Sequence, residues 1–382
     1  MKLALILVIG LYNAASVQGS RLCVTLFALS MDAPSWLVGS LAALYYVRPI
    51  FLGLAIGRAI DRAGSGPTVA TCGTLTLLSY LVPLAFPGFV SLAVSACLAG
   101  ASFVAVSVAA NVMVPRMGGP EETTRNYSWY GLASSAGMAV GPLISGFGID
   151  HVGHRATFAL LTVVPLGMLA VLYAGWRRMP PVSTRHRESA GRLRDLVRSP
   201  GVPVPLIGAA MAPVVLDLFF FVVPLYATSI GLSASTIGLV LGIFSGASVS
   251  VRFLLPVFAR FARPWTLVAG SFAMSGFMLG LVPLAGGTPM LIAFSVLAGI
   301  STGVSAPMVL TALAKTLPEG RQGELLGVRA VLISCGQTGA PALVGALSGL
   351  AGLAPVVGVM GLGVMYYGWQ ARREGRRRGA LQ

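Results

Sequence analysis

Acidic side chains are scarce in this sequence, and so is charge of any kind. The 382 residues include 11 Asp and Glu against 26 Lys and Arg, and charged residues are 10% of the total. A soluble domain carries about 25%, so a water-covered globule is excluded. Long polar stretches are missing too. The longest, residues 177–200, is too short to hold a nucleotide-binding domain, which excludes an ATP-driven pump. No phosphate loop, HExxH pair or catalytic triad pattern is present, and no enzyme activity is expected. Cys23, Cys72, Cys97 and Cys335 all fall inside apolar runs without CxxC spacing, so they read as small packing residues. His151 and His154 share a short loop with no further ligand, so no metal site is expected.

What is there is apolar. Hydrophobic residues make up 56% of the chain, in runs of about 20 or more, the length that crosses about 30 Å of hydrocarbon as a helix. The runs are apolar all round, whereas barrel strands alternate. The fold class is therefore all-α: a polytopic membrane protein with twelve transmembrane helices, at roughly 3–28, 36–58, 67–85, 88–113, 127–149, 156–176, 202–228, 235–257, 264–284, 289–314, 324–349 and 353–370. The opening stretch MKLALILVIGLYNAAS looks like a cleavable signal peptide. Its apolar run continues to Leu29, however, and it reads as a retained first helix.

The net charge of +15 follows topology. Lys2, Arg62, Arg116, Arg125, Arg177, Arg178, Arg260, Arg263, Lys315, Arg321 and the tail 372–378 fall on one side of the spans, and Arg155 nearly alone on the other. Basic loops stay in the cytoplasm, so both termini are expected there, in a plasma (inner) membrane. Lipid and a small-molecule substrate are the expected partners; nucleic acid is not, and the chain is expected to be a monomer. Trp36, Trp129, Trp176, Trp265 and Trp369 fall at expected helix ends, where amphipathic rings sit at headgroup level.

Two halves are expected. Residues 1–176 form a first six-helix bundle, 177–200 a basic cytoplasmic linker, 201–370 a second bundle and 371–382 a basic tail. Part of the linker, 190–198, has the pattern of a short amphipathic surface helix. The fifth span holds Gly137, Gly141, Pro142 and Gly146; the eleventh holds Gly336, Pro341 and Gly345 at the same spacing. Small residues four or five apart allow close helix contact, and the proline bends the helix. Two halves of similar pattern in parallel orientation are thus expected.

The stretch Leu52–Gly66, LGLAIGRAIDRAGSG, sets Asp61 and Arg62 in a turn between Gly57 and Gly64. This spacing resembles the loop 2–3 signature of the major facilitator superfamily of transporters. The resemblance implies that Asp61 braces the eleventh helix near Gly323 in one conformation and releases it in the other, with Arg62 fixing the turn. The usual basic pair after Gly64 is replaced here by Ser65-Gly66. The segment Gly137–Gly146 resembles the signature of drug/proton antiporters. Ala96 stands where such antiporters usually carry an arginine, four residues before Gly100, so any proton coupling falls to another residue.

Asp217 is the single acid deep in a span. Such a carboxylate costs about 2.5–3.5 kcal/mol on insertion scales, so it should face a cavity or a cation. It is the candidate for proton coupling, against the plain reading of a structural ion pair. Arg21, Arg48 and Arg252 are also intramembrane, and Arg329 snorkels to the interface. Arg21 and Arg48 exceed what Asp217 neutralises, which points to an electropositive cavity and an acidic substrate. Asn13, Gln18, Asn111 and Gln337 are uncharged candidates for the cavity, while Tyr45, Tyr46 and Phe219–Phe221 are packing or stacking surfaces. The expected function is secondary transport by alternating access without a cofactor, with proton-driven export of a drug-like or anionic molecule first. Proton-coupled uptake of a small organic acid or nutrient is the alternative, and a non-transporting sensor or scaffold the second.

Overall fold

The computed structural model describes residues 2–47, 64–114, 122–175, 201–261, 264–314 and 322–379. No strand occurs among them. The helices are α1 (Lys2–Ser30), α2 (Ser35–Val47), α3 (Ser65–Ala85) and α4 (Phe89–Met113). Next comes a continuous stretch, Thr123–Gly175, broken at Gly153, which gives α5 (123–152) and α6 (154–175). The rest are α7 (Pro203–Ser229), α8 (Ala234–Phe261), α9 (Pro264–Leu281), α10 (Thr288–Ala314), α11 (Gln322–Ala351) and α12 (Leu353–Gly379). Nine helices among the described residues are long and apolar enough to cross a membrane: α5 and α6 are taken as one, α2 is described only to Val47, and α12 is not among the nine. Helix is the conformation that satisfies every backbone group within one segment, as hydrocarbon demands.

Arg48, Gly57, Asp61, Arg62, Trp176 and the linker 177–200 lie outside the described residues, as does the side chain of Asn111. Of the loop signature, Gly64 is described: it precedes α3 at φ 93°, and its carbonyl accepts from the Thr68 hydroxyl at 2.8 Å.

A repeat of 199 positions runs through the chain. α1 ends with Asp32 at φ 56° and α7 with Gly231 at φ 76°. The next amide closes each turn in the same way: Ala33 N–H donates to Ala28 O at 3.1 Å, and Leu232 N–H to Ala227 O at 3.0 Å. This is a left-handed helix stop, a conformation that aspartate tolerates and glycine favours. Gly153 and Gly352, at φ 84° and 83°, make the second matched pair of breaks.

The same offset relates the contacts between the halves. A Cβ added to Gly345 would meet Ser35 O at 2.5 Å, and one added to Gly146 would meet Ala234 O at 2.4 Å. Gly39 and Gly238 face Pro341 O and Pro142 O, each at 2.5 Å from such a Cβ. Thus α11 lies on α2 and α5 on α8, backbone against backbone, at the end of the bundle that carries few basic residues. Gly137 and Gly141 serve a different contact: they seat α5 on α1, against Leu11 O and Ala15 O at 2.2 and 2.4 Å. Gly336 meets the Val214 side chain of α7.

Prolines inside helices leave carbonyls without their usual donor four residues on, and neighbouring helices supply one. Pro213 frees Ala209 O, which accepts from Arg329 Nε at 3.1 Å. Arg329, expected to snorkel to the interface, has its Nε held by this carbonyl on α7. Pro142 likewise frees Met138 O, toward which Ser245 of α8 points its hydroxyl at 3.4 Å.

Asp150, at the end of α5, caps α8 from across the contact. Its carboxylate accepts from Ala234 N–H at 3.1 Å, from Ser235 N–H at 2.7 Å and from the Ser235 hydroxyl. These amides belong to the first turn of α8, where no helical acceptor exists and negative charge is favoured. Asp150→Ala should weaken the closed contact by about 1 kcal/mol, the usual cost of losing a cap. In a cysteine-free background, maleimide labelling of Ser35→Cys should then rise roughly fivefold at equilibrium.

α12 does not end where the apolar run ends. A span of 353–370 followed by a tail was expected; the helix continues to Gly379. Hydropathy reports where hydrocarbon stops, not where helix stops. Arg and Glu are good helix formers, and basic residues suit the C-terminal end of a helix dipole. Trp36 and Trp265 lie in the first turn of their helices, but Trp369 lies within one for this reason.

Candidate substrate and coupling site

α1 and α7 meet along the axis of the repeat, and the charges meet there. Arg21 Nη1 donates to Asp217 Oδ1 at 2.7 Å, and the two side chains are 5% and 4% exposed. The same Nη1 reaches the Tyr46 hydroxyl at 2.9 Å and Gln18 Oε1 at 3.2 Å. The guanidinium also lies 5.2 Å from the centre of the Tyr46 ring, a cation–π distance. On the far side, Gln337 Nε2 of α11 donates to Asp217 Oδ2. Four helices therefore contribute: α1, α2, α7 and α11. The acid expected to face a cavity or a cation faces a cation.

The second half carries Asp217 at the position matching Gln18 of the first, 199 residues earlier. The pair is thus a local break in the repeat, one carboxylate where the other half has a neutral amide. Around it the packing is close. The adjoining cavity, bounded by Arg21, Thr25, Ala42, Tyr45, Phe220 and Phe221 among others, measures about 10 Å³, room for about one water. The electropositive cavity expected beside the pair is reduced to this volume in this conformation. Tyr45 holds Ser20 at 2.6 Å through its hydroxyl, and Phe219 and Phe220 pack on Phe244 of α8.

Of the residues singled out from sequence, Arg21, Asp217, Gln18 and Gln337 come together. Asn13 does not join them; its amide donates to Phe103 O at 3.2 Å and Ser107 Oγ at 3.3 Å, fastening α1 to α4. The electropositive cavity loses one of its cations, since Asp217 neutralises Arg21. Arg252 remains. Its Nη1 donates to Ser135 Oγ of α5 at 2.9 Å, and its Nε has no hydrogen-bond partner among the described residues. Along α5, Ser135 lies ten residues from Ser145, which bonds Gly19 O beside the pair; that is about 15 Å toward the basic end. Tyr46 is the residue that sequence reasoning missed as a polar partner. A buried tyrosine hydroxyl needs one, and that requirement was the available signal. Among the described residues, no group of three or more His, Cys, Asp or Glu is placed to hold a metal ion.

A membrane protein that keeps its charges at the seam of two repeating helix sets is built as a carrier. The Major Facilitator Superfamily model matches residues 4–341, and the chain belongs to that family of secondary transporters. Solved structures with the same fold include a peptide transporter POT in complex with sulfate, 16% identical over 98% of this chain and 95% of that one, at a TM-score of 0.79. A nucleoside transporter NupG mutant is 10% identical over 97% and 99%, at 0.77. A POT family transporter in complex with 5-aminolevulinic acid is 12% identical over 98% and 96%, at 0.79. A sequence search of curated proteins gave no match.

Proposed function

We propose that the chain is a proton-coupled secondary transporter of small organic anions, in which Arg21 and Asp217 form the coupling element. The observation that carries this reading is the buried pair itself, closed by Gln18, Tyr46 and Gln337. Among the described residues, Arg21 has one charged partner. An anionic substrate that takes Arg21 leaves Asp217 as an uncompensated carboxylate, which is costly in this setting. A proton on Asp217 removes that cost and frees the guanidinium. Anion and proton therefore favour each other's binding and move together, which is symport. Arg252, with an unpartnered Nε, offers the anion a second cation toward the basic end. The two halves, 1–176 and 201–370, rock about the seam, with the low-charge end outside and both termini in the cytoplasm. The neighbours crystallised with sulfate and with 5-aminolevulinic acid are in keeping with an acidic ligand.

A second reading is export by exchange. It is favoured by the pattern Gly137–Gly146, whose glycines seat α5 against α1 and α8. At this pair the two directions imply different substrate charges. A cation would compete with the proton for Asp217 and exchange with it; an anion would accompany the proton.

The test is uptake into proteoliposomes under an imposed pH gradient, with matched panels of small carboxylates, their amides and amines. Asp217→Asn should abolish accumulation of the carboxylates while leaving their counterflow exchange measurable. Full gradient-driven accumulation by the variant would reduce the pair to a structural role. Accumulation of amines alone would favour exchange, and no accumulation of any compound would favour a sensor or scaffold.

A further inference from the structure

The overhang of α12 has two unlike faces. One packs inward. Cβ atoms added at Gly361, Gly368 and Gly375 would strike Gly276 O at 2.4 Å, Ala269 O at 2.8 Å and Trp265 Cβ at 2.4 Å, all on α9. Tyr367 adds a hydrogen bond to Val204 O of α7 at 2.8 Å, and Ala371 is fully buried. The helix is therefore gripped along its length, including the last turns, so the overhang is held in a fixed position.

The opposite face runs through Val359, Leu362, Tyr366, Trp369 and Arg373, all exposed. It changes along its length from aliphatic to aromatic to cationic. Tyr366 and Trp369 stack with their rings 5.6 Å apart, and the Arg373 guanidinium lies 4.6 Å from the centre of the Trp369 ring. Arg372, Arg376 and Arg377 are also exposed, and Arg378 follows in sequence. Glu374 is the one acid among them. From Trp369 the helix reaches on for ten residues, about 15 Å, the depth of a headgroup layer rather than of a free tail.

We propose that this face is a docking surface for anionic phospholipid headgroups. The aliphatic part meets acyl chains, the Tyr366–Trp369 stack marks the interface, and the arginines take the phosphates as bidentate donors. Near an anionic surface a cationic side chain contributes about fivefold in affinity. A rigid helix needs no further ordering to present four of them, which is an advantage over a flexible basic tail. The partner is a lipid rather than a soluble phosphate because the arginines continue an apolar stripe.

The experiment is native mass spectrometry of the full chain in detergent, with added phosphatidylglycerol or phosphatidylcholine. Phosphatidylglycerol adducts should predominate, and the combined variant R372Q/R373Q/R376Q/R377Q should lose that preference at least tenfold. In the wild-type chain, raising the salt from low to high ionic strength should weaken the preference as well, a check that does not depend on a variant folding. Equal adduct numbers for the two lipids, or a preference unchanged in the variant, would overturn the proposal. So would competition by glycerol phosphate as strong as that of the intact lipid, which would mark a plain phosphate site.

Discussion

Asp217→Ala should cost about 3–5 kcal/mol of stability, the range for breaking a buried pair by removing one partner. The guanidinium of Arg21 would be left with Tyr46 and Gln18, both uncharged. Arginine cannot shed its proton at accessible pH, so the charge stays. Arg21→Met should cost less, because the stranded carboxylate keeps the Gln337 amide and can take up a proton. The difference between the two variants should show in thermal unfolding of the detergent-purified protein. The double variant R21M/D217L fills similar volume with apolar atoms and should recover most of the stability, yet show no gradient-driven transport. A double variant that stays as unstable as Asp217→Ala would mean that the pair is not what the single substitutions disrupt. A double variant that still transports would remove the pair from the mechanism.

Gly345→Val should hold the low-charge ends of the halves apart. Its Cβ would fall 2.5 Å from Ser35 O and 2.9 Å from the Gly39 Cα. Both are backbone atoms, so no rotamer change relieves the clash. Gly146→Val meets Ala234 O at 2.4 Å and should act in the same way through the matching contact. Transport is expected to fall at least tenfold in each, with normal membrane insertion. A cysteine at position 35 in a cysteine-free background should become labelled by maleimide. Gly349→Ala in the same helix faces open space and should change neither readout. Loss of transport with no gain in labelling would show that the clash unfolds the contact locally instead of parting the halves.

The helical fold was legible because hydrocarbon imposes it: apolar residues predominate in the spans, and one conformation serves them. The Gly-Pro-Gly spacing of α5 and α11 pointed to the repeat from six residues. That Asp217 faces a cation was legible; which arginine supplies it was not, since the partnership with Arg21 joins positions 196 apart and depends on how two helices face each other. One signal for it was present. Carrying the α5–α11 offset back to α1 sets Gln18 on Asp217, and so marks the axis. Asn13 was misplaced because a polar residue in a span answers equally well to a cavity or to a neighbouring carbonyl, here Phe103 O. The partner of Arg329 was hidden for a related reason. Pro213 announces a free carbonyl, but not which side chain reaches it. The end of α12 was missed because polarity marks the bilayer boundary and is silent on helix continuation.

Corresponding turns, glycine contacts and helix breaks spaced 199 positions apart are the mark of a gene that was copied and joined to itself. In a chain of that origin the side chains nearest the axis begin identical, and a function that distinguishes the copies must arise by divergence. Gln18 and Asp217 are such a divergence. Glutamine is a neutral amide and aspartate an acid one methylene shorter that can hold a proton; Arg21, whose counterpart is Phe220, is a second divergence, and the two together turn an inert, symmetric centre into a polarised one.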